Sequence, residues 1–265
     1  MKRIVIAGGS GFIGQAITRE LLKRDYEVVI LTRLPRSRQD AAKEIVWDGE
    51  HLHEWIQSLD GAEAVINLAG RTVHCRHTPE NLRQIKESRV NSVRAIAAAC
   101  DHVKKSPRIW VQASGIGFYG DRGNEICDEG CGTGNNLLAE VCRLWEEAFN
   151  AAHLSQTRRV ILRIGVVLGN GGGGFPILAR LAKLFIGGAA GNGKQFIGWI
   201  HLEDLVQMFI AAIENENLSG VFKRRHAETF DECRIHARIA SHITPPLESA
   251  HAGICGKDWR AVHEN

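Results

Sequence analysis

Long apolar runs are missing from this 265-residue sequence. None reaches the ~18 residues a membrane helix needs, and the apolar stretch in the opening MKRIVIAGG is too short for a signal peptide. Blocks of like charge are missing too. With 33 basic and 30 acidic side chains the net charge is +3, which argues against nucleic acid as a partner. There is no internal repeat and no low-complexity linker. Paired cysteines are also lacking. The seven present (Cys75, Cys100, Cys127, Cys131, Cys142, Cys233 and Cys255) are odd in number and scattered, which points to free thiols in a reducing, cytoplasmic setting. Cys127 and Cys131 lie four apart with His153 downstream, but this spacing fits no zinc pattern, so no metal is expected. Tyrosine is scarce, with only Tyr26 and Tyr119.

What is present alternates. RIVIA is a β-branched run that meets GGSG and then the amphipathic FIGQAITRELLKR: strand, tight turn, helix. EVVILTR, EIVWD, AEAVINLAG, RIWVQAS and RRVILRIGVVLG read as five further strands. Between them, helical spacing runs through 79–103 and through 135–152, the latter opened by asparagine capping candidates. This alternation predicts an α/β fold, a doubly wound parallel sheet covered on both faces. The length suits one such domain with a smaller region attached. Residues 170–222 are less regular, with two glycine-rich loops, GNGGGGF and GGAAGNGK, and read as substrate-side. From Lys223 the chain is dense in His and Arg with poor apolar periodicity, which predicts a loosely ordered end.

Gly8, Gly11 and Gly14 stand at the first strand–helix junction. There the first permits a sharp turn, the second lets the backbone approach a pyrophosphate, and the third lets helix and strand pack closely. Backbone N–H groups from Ser10 through Phe12 and Ile13 then face the phosphates at the positive helix end. The end of the second strand distinguishes the cofactors. NAD binders usually place an acid there for the ribose 2′-hydroxyl. This chain has Arg33, followed by Arg36 and Arg38, and a guanidinium grips a 2′-phosphate. NADP(H) is therefore expected, with Arg33 as the reader and Arg38 as a solvated loop residue. Asp48, after the third strand, is placed toward the adenine side.

The motifs GGSGFIG, VINLAG, ASGIGFYG, RIGVVLG and WIHLEDL resemble, in order, those of an extended short-chain dehydrogenase/reductase. SRVNSVRAI, LAEVCRLWEEA and GVVLGNGGGG narrow the resemblance to its atypical epimerase-like, YfcH-like group, over about residues 1–222. The resemblance implies an NADP(H)-binding Rossmann domain over 1–169 and a substrate-side region over 170–222 partly joined to it. It implies that Leu68, Ala69 and Gly70 lie beside the adenosine and its phosphates, and that Ser114 sits beside the nicotinamide and orients a substrate oxygen. Asn91 is a structural support, and His201 and Asp204 lie on the substrate side, where helix capping and packing compete with catalysis. A homodimer through helices 79–103 and 135–152 is implied as well, although their exposed faces carry no apolar excess.

Two departures stand out. Counting back from Glu146, the family's Tyr-x-x-x-Lys proton-transfer pair falls on Leu138 and Cys142, and neither can do that work. Tyr119 is the alternative proton donor, against a packing role. The tail 223–265 also departs from the apolar helices expected there, as a frame change or a divergent end would produce. The reading is an oxidoreductase or epimerase-like enzyme of unassigned substrate; the alternative is a non-catalytic NADPH sensor or scaffold.

Overall fold

Strands buried on both faces must be apolar throughout, and the centre of the sheet is built that way. β1 (Arg3–Ala7) is wholly buried from Ile4 onward, and β2 (Glu27–Thr32) and β4 (Ala64–Asn67) flank it in parallel, with Ile4 opposite Val28 and Ala64. In the computed structural model, which describes residues 1–184, 196–223 and 230–231, β3 (Lys43–Val46), β5 (Ile109–Gly115), β6 (Arg158–Ile164) and β10 (Gly220–Lys223) complete a seven-stranded parallel sheet. Its order is β3-β2-β1-β4-β5-β6-β10. The winding reverses between β1 and β4, and such a reversal opens a crevice at the carboxyl ends of the two strands.

The helices cover both faces. On one side lie α1 (Phe12–Lys23) and α5 (Leu202–Glu214), whose Ile17, Leu21, Leu205 and Phe209 join one core. On the other lie α2 (Pro79–His102), α3 (Leu137–Asn150) and a 3-10 turn at Glu54–Leu59 that buries Trp55. There Trp110 stands edge-on to Phe149, 4.9 Å between centroids. The helix starts carry their own signals. Thr78 accepts from Asn81 N with Pro79 in the first turn, and Asn136 accepts from Ala139 N.

Part of the stretch read as substrate-side joins the Rossmann layers. α5 buries an apolar stripe against the sheet, Arg24 Nη1 of the segment after α1 meets Glu214 Oε1 at 3.2 Å, and GVFK pairs with β6 as the seventh strand. Outside the sheet stand β7 (Val166–Leu168) paired with β9 (Trp199–His201), α4 (Phe175–Lys183), and β8 (Phe196–Ile197) paired with β11 (Phe230–Asp231). The loop GGAAGNGK, and the tail beyond Lys223 apart from β11, lie outside the described residues. Among the described residues no helix is long and apolar enough to cross a membrane.

Candidate functional site

The crevice at the winding reversal is floored by glycine. Gly8 has φ +78°, a conformation that a side chain disfavours, and a Cβ on it would meet the Leu68 and Ala69 backbone at 3.0–3.1 Å. The loops after β1 and β4 thus abut because residue 8 has no side chain. A Cβ on Gly14 would sit 2.5 Å from Gly9 Cα, so α1 packs directly onto the turn. A Cβ on Gly11, the N-cap of α1, would meet only Gly8 O, at 3.4 Å, leaving open space above the turn. Gly11 N donates to Gly8 O and Gln15 N to Gly11 O. The intervening first-turn N–H groups of Phe12, Ile13 and Gly14 therefore have no helix carbonyl to reach, which leaves a concave donor surface suited to a diphosphate. Ser10 is exposed on the turn, and its hydroxyl lies 3.3 Å from that of Thr32 at the end of β2. The Phe12 ring lies under the glycine-rich loop: Cβ atoms on Gly172 and Gly169 would fall 2.5 and 3.3 Å from it.

The loop after β4 is held from below. Asn67, fully buried, donates to Ser92 Oγ and Gln112 Oε1, both at 3.1 Å, while its own oxygen accepts from Ala69 N at 3.0 Å. Leu68 and Ala69 are half-buried and Gly70 is exposed at the crevice. Arg89 of α2 braces this loop, donating to Arg71 O and Ile85 O at 3.0 Å and stacking on Trp145. Asn91, predicted as the support, makes no side-chain hydrogen bond among the described residues; its neighbour Ser92 does.

Past β2 lies an open groove of about 370 Å³ whose lining includes Ser10, Gln15, Arg36 and Arg38. Arg38 is already engaged, with Nε on Asp40 at 2.7 Å and Nη1 on Glu44 at 3.1 Å, contacts that raise its pKa further. The guanidinium groups of Arg33 and Arg36 have no acidic partner among the described residues; only the Arg36 backbone N–H is taken, by Glu44. Asp48 is occupied in a turn. It accepts from Glu50 N and His51 N at 2.9 Å and lies 2.7 Å from His51 Nδ1. Burial pushes its carboxyl pKa up, but these contacts outweigh burial and bring it to about 2. With His53 it forms an exposed group of three donors within 4.8 Å.

The carboxyl end of β5 carries a buried polar chain. Ser114 Oγ donates to Glu146 Oε1 of α3 at 2.6 Å. Arg163, opposite Ser114 on β6, grips the same carboxylate through Nε at 2.9 Å and Nη2 at 2.8 Å. Its Nη1 donates to the Tyr119 hydroxyl at 2.9 Å and to Glu129 O at 3.1 Å, and its plane lies 3.6 Å from the Phe118 ring centre. All four side chains are buried. Burial opposes the Arg163 charge, yet its bonds to Glu146 and Tyr119 hold its pKa above the ordinary value. Burial pushes the Tyr119 phenol up, against the opposing pull of Arg163. Lys223 closes the cluster, with Nζ 4.6 Å from the Tyr119 ring and bonded to Cys127 O.

Leu138 and Cys142 face the same turn. Leu138 Cβ would lie 3.2 Å from a Cβ on Gly117, and Cys142 Sγ 3.3 Å from one on Gly115. Burial pushes the Cys142 thiol pKa up, while the Gly115 backbone and the charge of Arg89 pull the other way. His201 caps α5, its Nδ1 accepting from Glu203 N at 3.3 Å, and Asp204 lies in the first turn of that helix. Among the described residues neither bonds to the Ser114 cluster. Cys127 and Cys131 lie in the loop after β5, Cys131 Sγ accepting from Asp128 N, whereas His153 follows α3 at the amino-terminal side of the sheet. Glu146 entered the sequence reading only as a register mark, and Arg163, Asn67 and Gln112 did not enter it. Their common signal is a polar residue inside an otherwise apolar strand or helix face.

Known proteins share this fold and much of this sequence. The model of the NAD dependent epimerase/dehydratase family matches residues 4–223. The chloroplastic SDR39U1 homolog of Arabidopsis thaliana is 32% identical over 226 residues, 82% of this chain and 64% of its own length. The chain thus spans less than two thirds of that relative. YfhF of Bacillus subtilis is 33% identical over 219 residues, 82% of this chain and 72% of its own. Of solved structures, human epimerase family protein SDR39U1 (isoform 2), crystallised with NADPH, superposes with a TM-score of 0.79 at 29% identity, over 89% of this chain and 80% of that one. The chain belongs to the NAD dependent epimerase/dehydratase family.

Proposed function

We propose that this protein binds NADP(H) and works as an oxidoreductase or epimerase-like enzyme on a small oxygen-bearing substrate. The observation that carries the reading is the glycine-floored turn, with its unsatisfied N–H groups, next to the groove past β2 that Ser10 and Arg36 line; the guanidinium of Arg36, like that of Arg33 just after β2, has no acidic partner among the described residues. The human relative's complex with NADPH supports it. On this reading Phe12, Ile13 and Gly14 hold the diphosphate, Arg33 with Arg36 reads the 2′-phosphate, and Leu68–Gly70 border the ribose. Bound there, the nicotinamide exchanges hydride with substrate. Ser114, its proton committed to Glu146, presents lone pairs and so accepts from a substrate hydroxyl. His201 and Asp204 fix the neighbouring segment. A cytoplasmic homodimer paired through α2 and α3 completes the proposal.

Fluorescence titration tests it. NADPH should bind at micromolar levels and tighter than NADH, and Arg33→Asp should weaken NADPH far more than NADH. Indifference to millimolar NADPH would end the reading. A second reading, a sensor that binds without turnover, is favoured by the count back from Glu146 that puts Leu138 and Cys142, neither a phenol nor an ammonium, at the pair's positions. Tight NADPH binding with no oxidation across a panel of aldehydes, ketones and nucleotide sugars would select it.

A further inference from the structure

The buried chain at the end of β5 has a direction, set by which groups give protons and which take them. Ser114 gives its proton to Glu146, at 2.6 Å, so it can accept but cannot donate without breaking that bond. Tyr119 is the reverse. Its oxygen accepts from Arg163 Nη1 at 2.9 Å, and its own O–H proton has no acceptor among the described residues. Ser114 and Tyr119 are linked through two side chains, since Glu146 holds Ser114 and Arg163 bonds both that carboxylate and the phenol. Short-range attraction to a cation is what stabilises a phenolate. The family pair obtains it from a lysine one helical turn along the same helix. Here the cation reaches the phenol oxygen directly, from the strand beside Ser114, while Glu146 takes the guanidinium's other edge and fixes its plane. Phe118, with its ring centre 3.6 Å from the guanidinium carbon, and Lys223, 4.6 Å from the centre of the phenol ring, pack against the pair.

Building on the NADP(H) reading, we propose that Tyr119 is the proton donor of this site and Arg163 its positioning cation, in place of the missing Tyr-x-x-x-Lys pair. In reduction, hydride from a reduced nicotinamide forms a C–H bond at the substrate carbonyl carbon, and the C=O π pair moves to oxygen. That oxygen takes the Tyr119 proton. The electron pair left on the phenolate oxygen faces Arg163 Nη1, and water returns the proton. Run backwards, the same groups accept the proton of an alcohol. Ser114 meanwhile accepts from a neighbouring substrate hydroxyl, so the site favours a substrate with a hydroxyl next to its reacting carbonyl, as in a sugar or a hydroxyketone.

The scarcity of tyrosine makes this testable without a known substrate. The full chain labelled with 3-fluorotyrosine has two fluorine resonances, and Tyr26→Phe identifies Tyr119. The phenol titration is followed by 19F NMR with saturating NADPH and then with saturating NADP+. A phenol beside the nicotinamide should titrate about half a unit or more lower with the cationic NADP+ ring than with NADPH, while Tyr26 does not move. Arg163→Gln should raise the Tyr119 midpoint in both states, and Arg163→Lys should restore most of it. If Arg163→Gln does not fold, the NADP+ and NADPH arms on the unmodified chain decide. Saturable cofactor fluorescence with the same Tyr119 titration in both redox states overturns the proposal alone. Absence of cofactor binding in either assay overturns the functional reading and the proposal with it.

Discussion

The Glu146–Arg163 pair sets up a sharp energetic experiment. Its side chains are only 6% and 5% exposed, so removing one partner strands the other's charge in a nearly dry interior. Arg163→Met takes away both bonds to the carboxylate, at 2.9 and 2.8 Å, and leaves Glu146 with Ser114 as its hydrogen-bond donor. Glu146→Leu strands the guanidinium on Tyr119 and Glu129 O. Either single change should cost about 3–5 kcal/mol. That is a large part of the ~5–15 kcal/mol a folded domain has. The double variant removes both charges together. What it loses beyond the pair is the guanidinium's bonds to Tyr119 and to Glu129 O, the Ser114 bond to Glu146, and the stack on Phe118, roughly 1 kcal/mol net for each hydrogen bond. It should therefore cost about 1–3 kcal/mol, less than either single variant. Urea denaturation followed by tryptophan fluorescence and far-ultraviolet circular dichroism on the same samples provides the measurement, with coincident transitions as the test of two-state behaviour. Additive single effects would refute the argument, because they would mean that neither charge feels the other's absence.

Four further outcomes follow from other parts of the chain. Gly14→Ala forces a methyl to within 2.5 Å of Gly9 Cα and should destabilise by about 1–3 kcal/mol and abolish NADPH binding. Gly11→Ala, with 3.4 Å to Gly8 O, should fold normally and weaken only the cofactor, as parallel thermal-shift and fluorescence titrations can check. Asn67→Ala leaves Ser92, Gln112 and Ala69 N without their partner and should cost about 1–3 kcal/mol in urea denaturation. At Asp48–His51 the histidine pKa is raised by its bond to the carboxylate, and the carboxyl pKa is lowered to about 2. The histidine's share of that contact is complete below its ordinary pKa near ~6.5 and is lost as pH rises through the raised value. The aspartate's share is present above its ordinary value near ~4 and fades as pH falls toward 2. Asp48→Asn should bring the His51 NMR midpoint down to the ordinary value; an unchanged midpoint would contradict the contact.

The sheet centre was legible because burial on both faces leaves an unbroken apolar signature: Arg3–Ala7, Glu27–Thr32 and Ile109–Gly115 stand where RIVIA, EVVILT and the RIWVQAS run indicated. The glycine turn was legible because its spacing follows from steric need at Gly8 and Gly14. GVFK was harder. Its strand identity depends on pairing with β6 after a helical crossover, and nothing local to four residues encodes a distant partner. Arg163 was hidden for a related reason. Inside VILRIG it looks like one polar interruption of a strand, and its meaning appears only when Glu146, 17 residues earlier on a helix, folds back onto it. Arg36 and Arg38 look alike in a string of letters, yet Asp40 and Glu44 hold the second guanidinium and not the first.

The seating of α5 on α1 ties the earliest part of the chain to some of the latest described. Arg24 reaches Glu214 across 190 positions, and the apolar face formed by Ile17 and Leu21 is covered by Leu205 and Phe209. On a ribosome that face stays bare until about residue 214 has emerged, so the nascent chain carries an uncovered sticky surface through most of its synthesis. Contacts of such high sequence separation also slow folding, because a long loop must close before any of them is rewarded. Chaperone demand during translation is thus written into the order of the helices.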